Sequence, residues 1–263
     1  MKTLPRRFPV VAAAVCLSLG LLPATVRAQE YGTVTGQFVL DGDPIKLDAL
    51  VKAGDTSAKD AAVCAKDGVP DDSLIVDPTS KGIANVFIYL AKAPSDIHPD
   101  LKASKEPVVK FDQKGCRFTP HALIVRTDQD VAILSGDPIA HNTHVFPIRN
   151  DNQNQTIPGN DRSGSVKWKF ALPERTPSRV NCDIHTWMRA YWLIIDHPYA
   201  AVSDKEGKFT IEKIPAGTHN FMVWQERSEW LFGPQKKSIK VTVKPNETTD
   251  LGVIKIPATT FAK

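Results

Sequence analysis

Sustained helical periodicity is missing from this 263-residue chain, and so are tandem repeats, long charge runs and, beyond the first thirty positions, long apolar runs. The first two absences exclude bundles and solenoids. The last excludes a membrane span in the body of the chain. No Ser/His/Asp arrangement, phosphate-cradling glycine loop or convincing carboxylate pair is present, and the expectation is a protein that is not an enzyme. Cysteine is scarce, at four residues, and methionine scarcer, at three.

Residues 1–28 read as a secretory signal. Lys2, Arg6 and Arg7 precede an apolar stretch from Phe8 to Leu22, and Val26-Arg27-Ala28 offers a small-residue cleavage point. Cys16 lies inside that stretch behind Val15, which favours cleavage over lipid anchoring. The chain carries 33 basic and 29 acidic residues, and four of the basic ones (Lys2, Arg6, Arg7, Arg27) belong to the signal. Removing it balances the charges, which leaves nucleic-acid or anionic-membrane binding without electrostatic support. The expected location is periplasmic or secreted.

What the chain does contain is short β-like segments. Twenty prolines and fifteen glycines punctuate them. Thr33 to Leu40 alternates before Asp41-Gly42, Ile83 to Leu90 is apolar enough to be buried on both faces, and Val108 to Phe111, Leu123 to Val125, Val131 to Leu134, Val166 to Phe170 and Tyr191 to Ile195 follow. Residues 58–63 suggest one short helix, 74–76 a brief strand and 148–165 a long polar loop. Residues 199–211 read as a hairpin around Asp204-Lys205-Glu206-Gly207. The expected class is all-β.

Three cysteines remain after the signal, an odd number in an oxidising compartment. Cys64–Cys116 is the economical pair and would close a loop of about 50 residues, contributing ~4 kcal/mol in the chain-entropy account. The alternative places Cys182 in a disulfide. If Cys182 is free, its neighbours matter. Asn181-Cys182-Asp183-Ile184-His185-Thr186-Trp187-Met188 sets a thiol, an imidazole and a thioether in C-x2-H-x2-M spacing, and His141 stands upstream in Ala140-His141-Asn142-Thr143-His144. Two imidazoles, a thiolate and a weak axial thioether are the ligand set of a type 1 copper site. The expected ligands are His141, Cys182, His185 and Met188, with His144 a surface or supporting residue. Zinc would bind the same donors.

Residues 107–197 resemble the small blue-copper cupredoxins, closest in loop spacing to amicyanin. The resemblance rests on Phe118-Thr119-Pro120, Leu123-Ile124-Val125, His141-Asn142 and the C-x2-H-x2-M loop. It implies a Greek-key β-sandwich with one copper ion, Asn142 bracing the ligand loop, and Trp187 on an apolar docking face around His185 for a redox partner protein. The sequence departs from the family at Ile184 and Thr186, where prolines are usual, so backbone N–H groups there become available to the thiolate or to neighbouring carbonyls. Asp128 stands where a turn glycine is usual.

Ala201 to Ile211 and Ile214-Pro215-Ala216-Gly217-Thr218-His219 resemble carboxypeptidase-regulatory or transthyretin-like sandwiches, also classed among carbohydrate-binding-like folds. Thr33 to Pro44 and Gly82 to Leu90 resemble the opening strands of such a sandwich. The resemblance implies a cupredoxin domain (107–197) inserted into a second β-sandwich (29–106 and 198–257), with a tail at 258–263. Secreted proteins of the methylamine-utilisation-like kind are similar. The function implied is a one-electron carrier; the alternative is a carbohydrate- or protein-binding module in which copper is incidental, favoured if Trp224 or Trp230 is exposed.

Overall fold

The computed structural model describes Met1 and residues 30–262, which are nearly all strand and turn. The expected signal segment lies, Met1 apart, outside the described residues. No helix among the described residues is long and apolar enough to cross a membrane.

Two sheets built from residues 108–195 enclose one core. A four-stranded sheet runs in the order Phe118–Thr119, Val108–Gln113, Asp130–Ile133, Lys167–Lys169. A five-stranded sheet runs Ala122–Arg126, Arg189–Ile195, Ser178–Asn181, His141–Phe146, Gln153–Ile157. Alternation drives each strand to send every second side chain inward. Phe111, Val125, Val131, Ile133, Val145, Val180 and Trp192 meet there. Trp192 is fully buried, edge-on to Phe111 at 4.7 Å.

The flanking segments meet in two further sheets. Tyr31–Asp41 is the central strand of one, antiparallel to Lys208–Pro215 and parallel to Thr248–Pro257. In the other, Phe87–Leu90 lies between Ala200–Val202 and Gly217–Gln225, and Ser238–Val243 pairs with Gly217–Gln225. Phe38, Ile88, Phe209, Phe221 and Phe261 fill the space between these sheets. Phe87–Leu90 is buried on both faces, as its composition suggests. Ile88 and Leu90 face this flanking core, while Phe87 and Tyr89 pack with Leu193, Ile195 and Trp224 against the 108–195 unit.

Several expectations change. Within 148–165 the polar residues Gln153–Ile157 form an edge strand paired to His141–Phe146, because a strand with one open face needs only an occasional apolar residue, here Ile157. The 199–211 hairpin does not form as a ladder. The turn closes, with Gly207 N–H donating to Asp204 O and Gly207 at φ 78, but Ala200–Val202 and Lys208–Pro215 enter different sheets. Gly82 sits against that turn so closely that a Cβ would lie 1.9 Å from the Glu206 carbonyl oxygen. The 74–76 strand is reduced to a single bridge, Val76 to Ile83. The helix spans Ala61–Cys64, one turn at the end of the suggested stretch.

One segment changes sides. Val51, Cys64, Ala65 and Val69 pack into the core of the 108–195 unit rather than that of the flanking sheets. Cys64 and Cys116 form a disulfide, with Cα atoms 5.3 Å apart, so the segment is covalently fixed to the unit it covers.

Candidate metal centre

Cys182 follows the strand Ser178–Asn181, and the loop closes on itself before Arg189–Ile195 begins. Met188 N–H donates to His185 O at 2.9 Å, and Cys182 N–H to Met188 O at 3.3 Å. His141 opens the adjacent strand, which pairs Val180 with Val145 and Asn181 with His144. This pairing carries His141 across to the loop. Ligand atoms of His141, Cys182 and His185 all lie within 4.8 Å of one another. The three residues and Met188 are buried, none more than 2% exposed.

The two Nδ1 atoms face each other at 2.9 Å, and His185 Nδ1 lies 3.8 Å from Cys182 Sγ. Each far ring nitrogen meets a carboxylate. His141 Nε2 is 2.9 Å from Asp137 Oδ2, and His185 Nε2 is 2.8 Å from Asp60 Oδ2. A carboxylate at Nε2 holds a proton there and turns the Nδ1 side of each ring into the cluster, as second partners of ligating histidines do. Asp137 is itself held by the Gly115 and Cys116 N–H groups at 2.6 and 2.8 Å. Asp60 precedes the short helix in left-handed conformation, φ 51, under the Cys64–Cys116 tether.

The sulfur accepts from the backbone N–H groups of His185, at 3.3 Å, and Asn142, at 3.5 Å. Of the N–H groups at the positions where prolines are usual, that of Ile184 goes to a carbonyl rather than to the thiolate, donating to Asn142 Oδ1 at 3.3 Å. That oxygen also accepts from Asp183 N–H at 2.7 Å, which ties the ligand loop to the neighbouring strand. His144 stays outside the cluster and shares a hydrogen bond with Asp183 at 3.0 Å. Burial alone raises the Cys182 thiol; the two imidazoles and the two N–H donors outweigh it and bring it down to about 6. For His141 burial works downward but is overcome by Asp137 and the Cys182 charge, which push it up to about 9. The resting pair is therefore thiolate and imidazolium near neutrality.

A thiolate and two imidazole nitrogens converging in a buried space suit a soft to borderline ion such as copper or zinc, which would displace the proton that His141 carries.

No family model matches the chain, and no curated protein matches it. Among solved structures, the copper-containing nitrite reductase of Thermus scotoductus matches at 17% identity over 39% of this chain and 24% of its own, with a TM-score of 0.30. The purple cupredoxin of Nitrosopumilus maritimus matches at 14% over 32% of this chain and 97% of its own, TM-score 0.27. Amicyanin of Paracoccus versutus matches at 14% over 41% and 90%, TM-score 0.26. The structural neighbours are cupredoxins. The likeness is partial and concerns fold alone. One of the matched chains is an enzyme, so the expectation that this protein is not an enzyme is withdrawn: such a fold does not exclude catalysis.

Two parts of the site differ from expectation. His185 does not border an open docking face. It is fully buried, and Asp60 occupies its outer edge. Trp187 is half-buried, with its ring 5.3 Å from the His185 ring and its Nε1–H donated to the Cys116 carbonyl at 3.3 Å. Sequence reasoning missed both carboxylates. Asp137 had a local signal, four residues before His141 next to a strand-breaking proline; Asp60, 125 residues from its partner, had none. In the flanking sheets Trp224 is buried and Trp230 half-buried with Lys237 5.2 Å over its ring, so neither is a free sugar platform.

Proposed function

We propose that the chain is a type 1 copper protein that transfers single electrons, exported to the periplasm or beyond. The observation that carries this reading is the buried convergence of His141, Cys182 and His185 donor atoms within 4.8 Å. In this reading His141, Cys182, His185 and Met188, all buried in the same core, would hold the copper ion. A bound copper ion would supply a reversible one-electron couple. The chain's own contribution is to hold the donors. Asp137 and Asp60 orient the two rings, the His185 and Asn142 N–H groups direct hydrogen bonds at the sulfur, and the surrounding core excludes water. Donors fixed before the metal arrives have little room to rearrange between oxidation states, which suits electron transfer.

Residues 107–197 would be a cupredoxin domain inserted into a carboxypeptidase-regulatory-like sandwich made from 29–106 and 198–257. The pairing of Tyr31–Asp41 with Lys208–Pro215 and of Phe87–Leu90 with Gly217–Gln225 supports it. In this reading residues 51–69 fall within the outer sandwich by sequence, while Val51, Cys64, Ala65 and Val69 pack on the core of the 108–195 unit.

Copper reconstitution is expected to produce an intense visible thiolate-to-copper band that Cys182→Ser abolishes. A colourless copper adduct of the unaltered protein would overturn the reading.

A further inference from the structure

The flanking sheets carry a cleft of about 490 Å³ that shares no lining residue with the ligand loop. Its two sides come from different parts of the chain. One is the connection between the strands Gly217–Gln225 and Ser238–Val243; the other is the end of Thr248–Pro257, an edge strand of the neighbouring sheet. The connection is well anchored. Leu231 is buried in the core between the two sheets. Gly233 N–H donates to Trp230 O at 2.9 Å and Lys236 N–H to Gly233 O at 3.0 Å, a turn in which Gly233 stands at φ 88. Trp230, Phe232, Ile256 and Pro257 give the cleft an apolar lining.

The charge in this cleft has one sign. Lys236 and Lys255 line it, and among the described residues no carboxylate does. Both lysines are exposed, and the lysines that form salt bridges among the described residues are others, Lys205, Lys213 and Lys244. Lys236 Nζ lies 5.4 Å from the Phe232 ring centroid and Lys237 Nζ 5.2 Å from that of Trp230, contacts that hold ammonium groups beside the apolar lining without neutralising them. Glu229 alternates with Trp230 in their short strand and does not line the cleft. Asp41, opposite Pro257 in the parallel ladder, does not line it either. Ser228 Oγ, on the same wall, is buried and has no hydrogen-bond partner among the described residues, an arrangement that calls for one from outside.

We propose that this cleft binds a small organic acid, its carboxylate met by Lys236 and Lys255 and its apolar body resting against Trp230 and Phe232. The volume falls within the range of small-ligand sites, roughly 300–1,000 Å³. Two ammonium groups without a counter-charge select an anion, and the apolar lining rewards an acid with a hydrocarbon body over a bare one. The site needs no metal and goes beyond the electron-transfer reading, on which it does not depend.

The test titrates the full chain with phenylacetate, followed by amide and indole NMR signals and by calorimetry. Binding is expected to shift the Trp230 indole and the Ser228 and Gly233 amides and to leave the Asn142 and His185 amides unmoved. Phenylacetamide, which lacks the charge, and acetate, which lacks the ring, are each expected to bind about tenfold more weakly. Lys236→Gln combined with Lys255→Gln is expected to weaken phenylacetate about tenfold at an unchanged Tm. Absence of shifts at Trp230 and Ser228, or an affinity within twofold of the original in the double variant, would overturn the site. Acetate or phenylacetamide binding as tightly as phenylacetate, or an oligoglutamate binding more tightly, would overturn the small apolar acid as its occupant.

Discussion

Asp60 is the side chain on which the orientation of His185 depends, because it alone meets the outer nitrogen of that ring. Asp60→Asn replaces an anionic acceptor with a neutral amide, and metal affinity is expected to fall by roughly 10- to 100-fold, the usual cost of losing such a partner. Competition against a chelator of known affinity measures it. The paired shifts of Cys182 and His141 give a second expectation. Cys182, lowered to about 6, contributes stability that is complete above its unfolded value of 9.0 and lost as pH falls through about 6. His141, raised to about 9, contributes stability that is complete below 6.5 and lost as pH rises through about 9. The opposed slopes cancel between these limits, since folding moves a proton from sulfur to nitrogen without taking one up. Unfolding of the metal-free protein should therefore show little pH dependence from this pair. Metal binding should instead release about one proton per ion from His141 near pH 7.5, read by calorimetry in buffers of different ionisation enthalpy. Release of none would show that the imidazolium does not exist.

The informative element is the segment Val51–Val69, which is irregular apart from one turn of helix and yet covers the ligand loop. Its attachment is covalent through Cys64–Cys116, across a sequence separation of 52, and apolar through Val51, Ala65 and Val69. Replacing both cysteines with serine is expected to cost ~4 kcal/mol by loop-closure entropy, measured by denaturant unfolding. A change well below 1 kcal/mol would mean that the segment stays docked by packing alone. A second element-scale expectation concerns Gly82. Alanine there would bring a Cβ to 1.9 Å of the Glu206 carbonyl, and backbone displacement of this kind costs about 1–3 kcal/mol, visible as a lowered Tm. Strand content was legible because period-2 alternation is a local property, as in Tyr31–Asp41 and Arg189–Ile195. Gln153–Ile157 was not, because an open edge strand carries almost no alternation to read.

At the scale of the whole molecule, the strand Tyr31–Asp41 needs partners from both 208–215 and 248–257. A chain ending at residue 197 would expose both edges of that strand together with Phe38 and Ile88, and it is expected to be insoluble. The excised stretch 107–197 would keep its own core but lose Asp60 and Cys64, leaving the outer edge of His185 uncovered. Bound copper in that fragment is expected to exchange faster with a chelator than in the full chain; equal rates would show that the covering segment plays no part in closure. What the sequence by itself determined is the candidate donor set and its spacing, the odd thiol, and the all-β habit, each fixed by residues close together or by counting. Only the tertiary structure decided that His185 is closed off, that Asp60 supports it, and that Trp230, Lys236 and Lys255 line one cleft. These depend on pairings between strands and segments far apart in the chain, which a local pattern of apolar and polar residues does not specify.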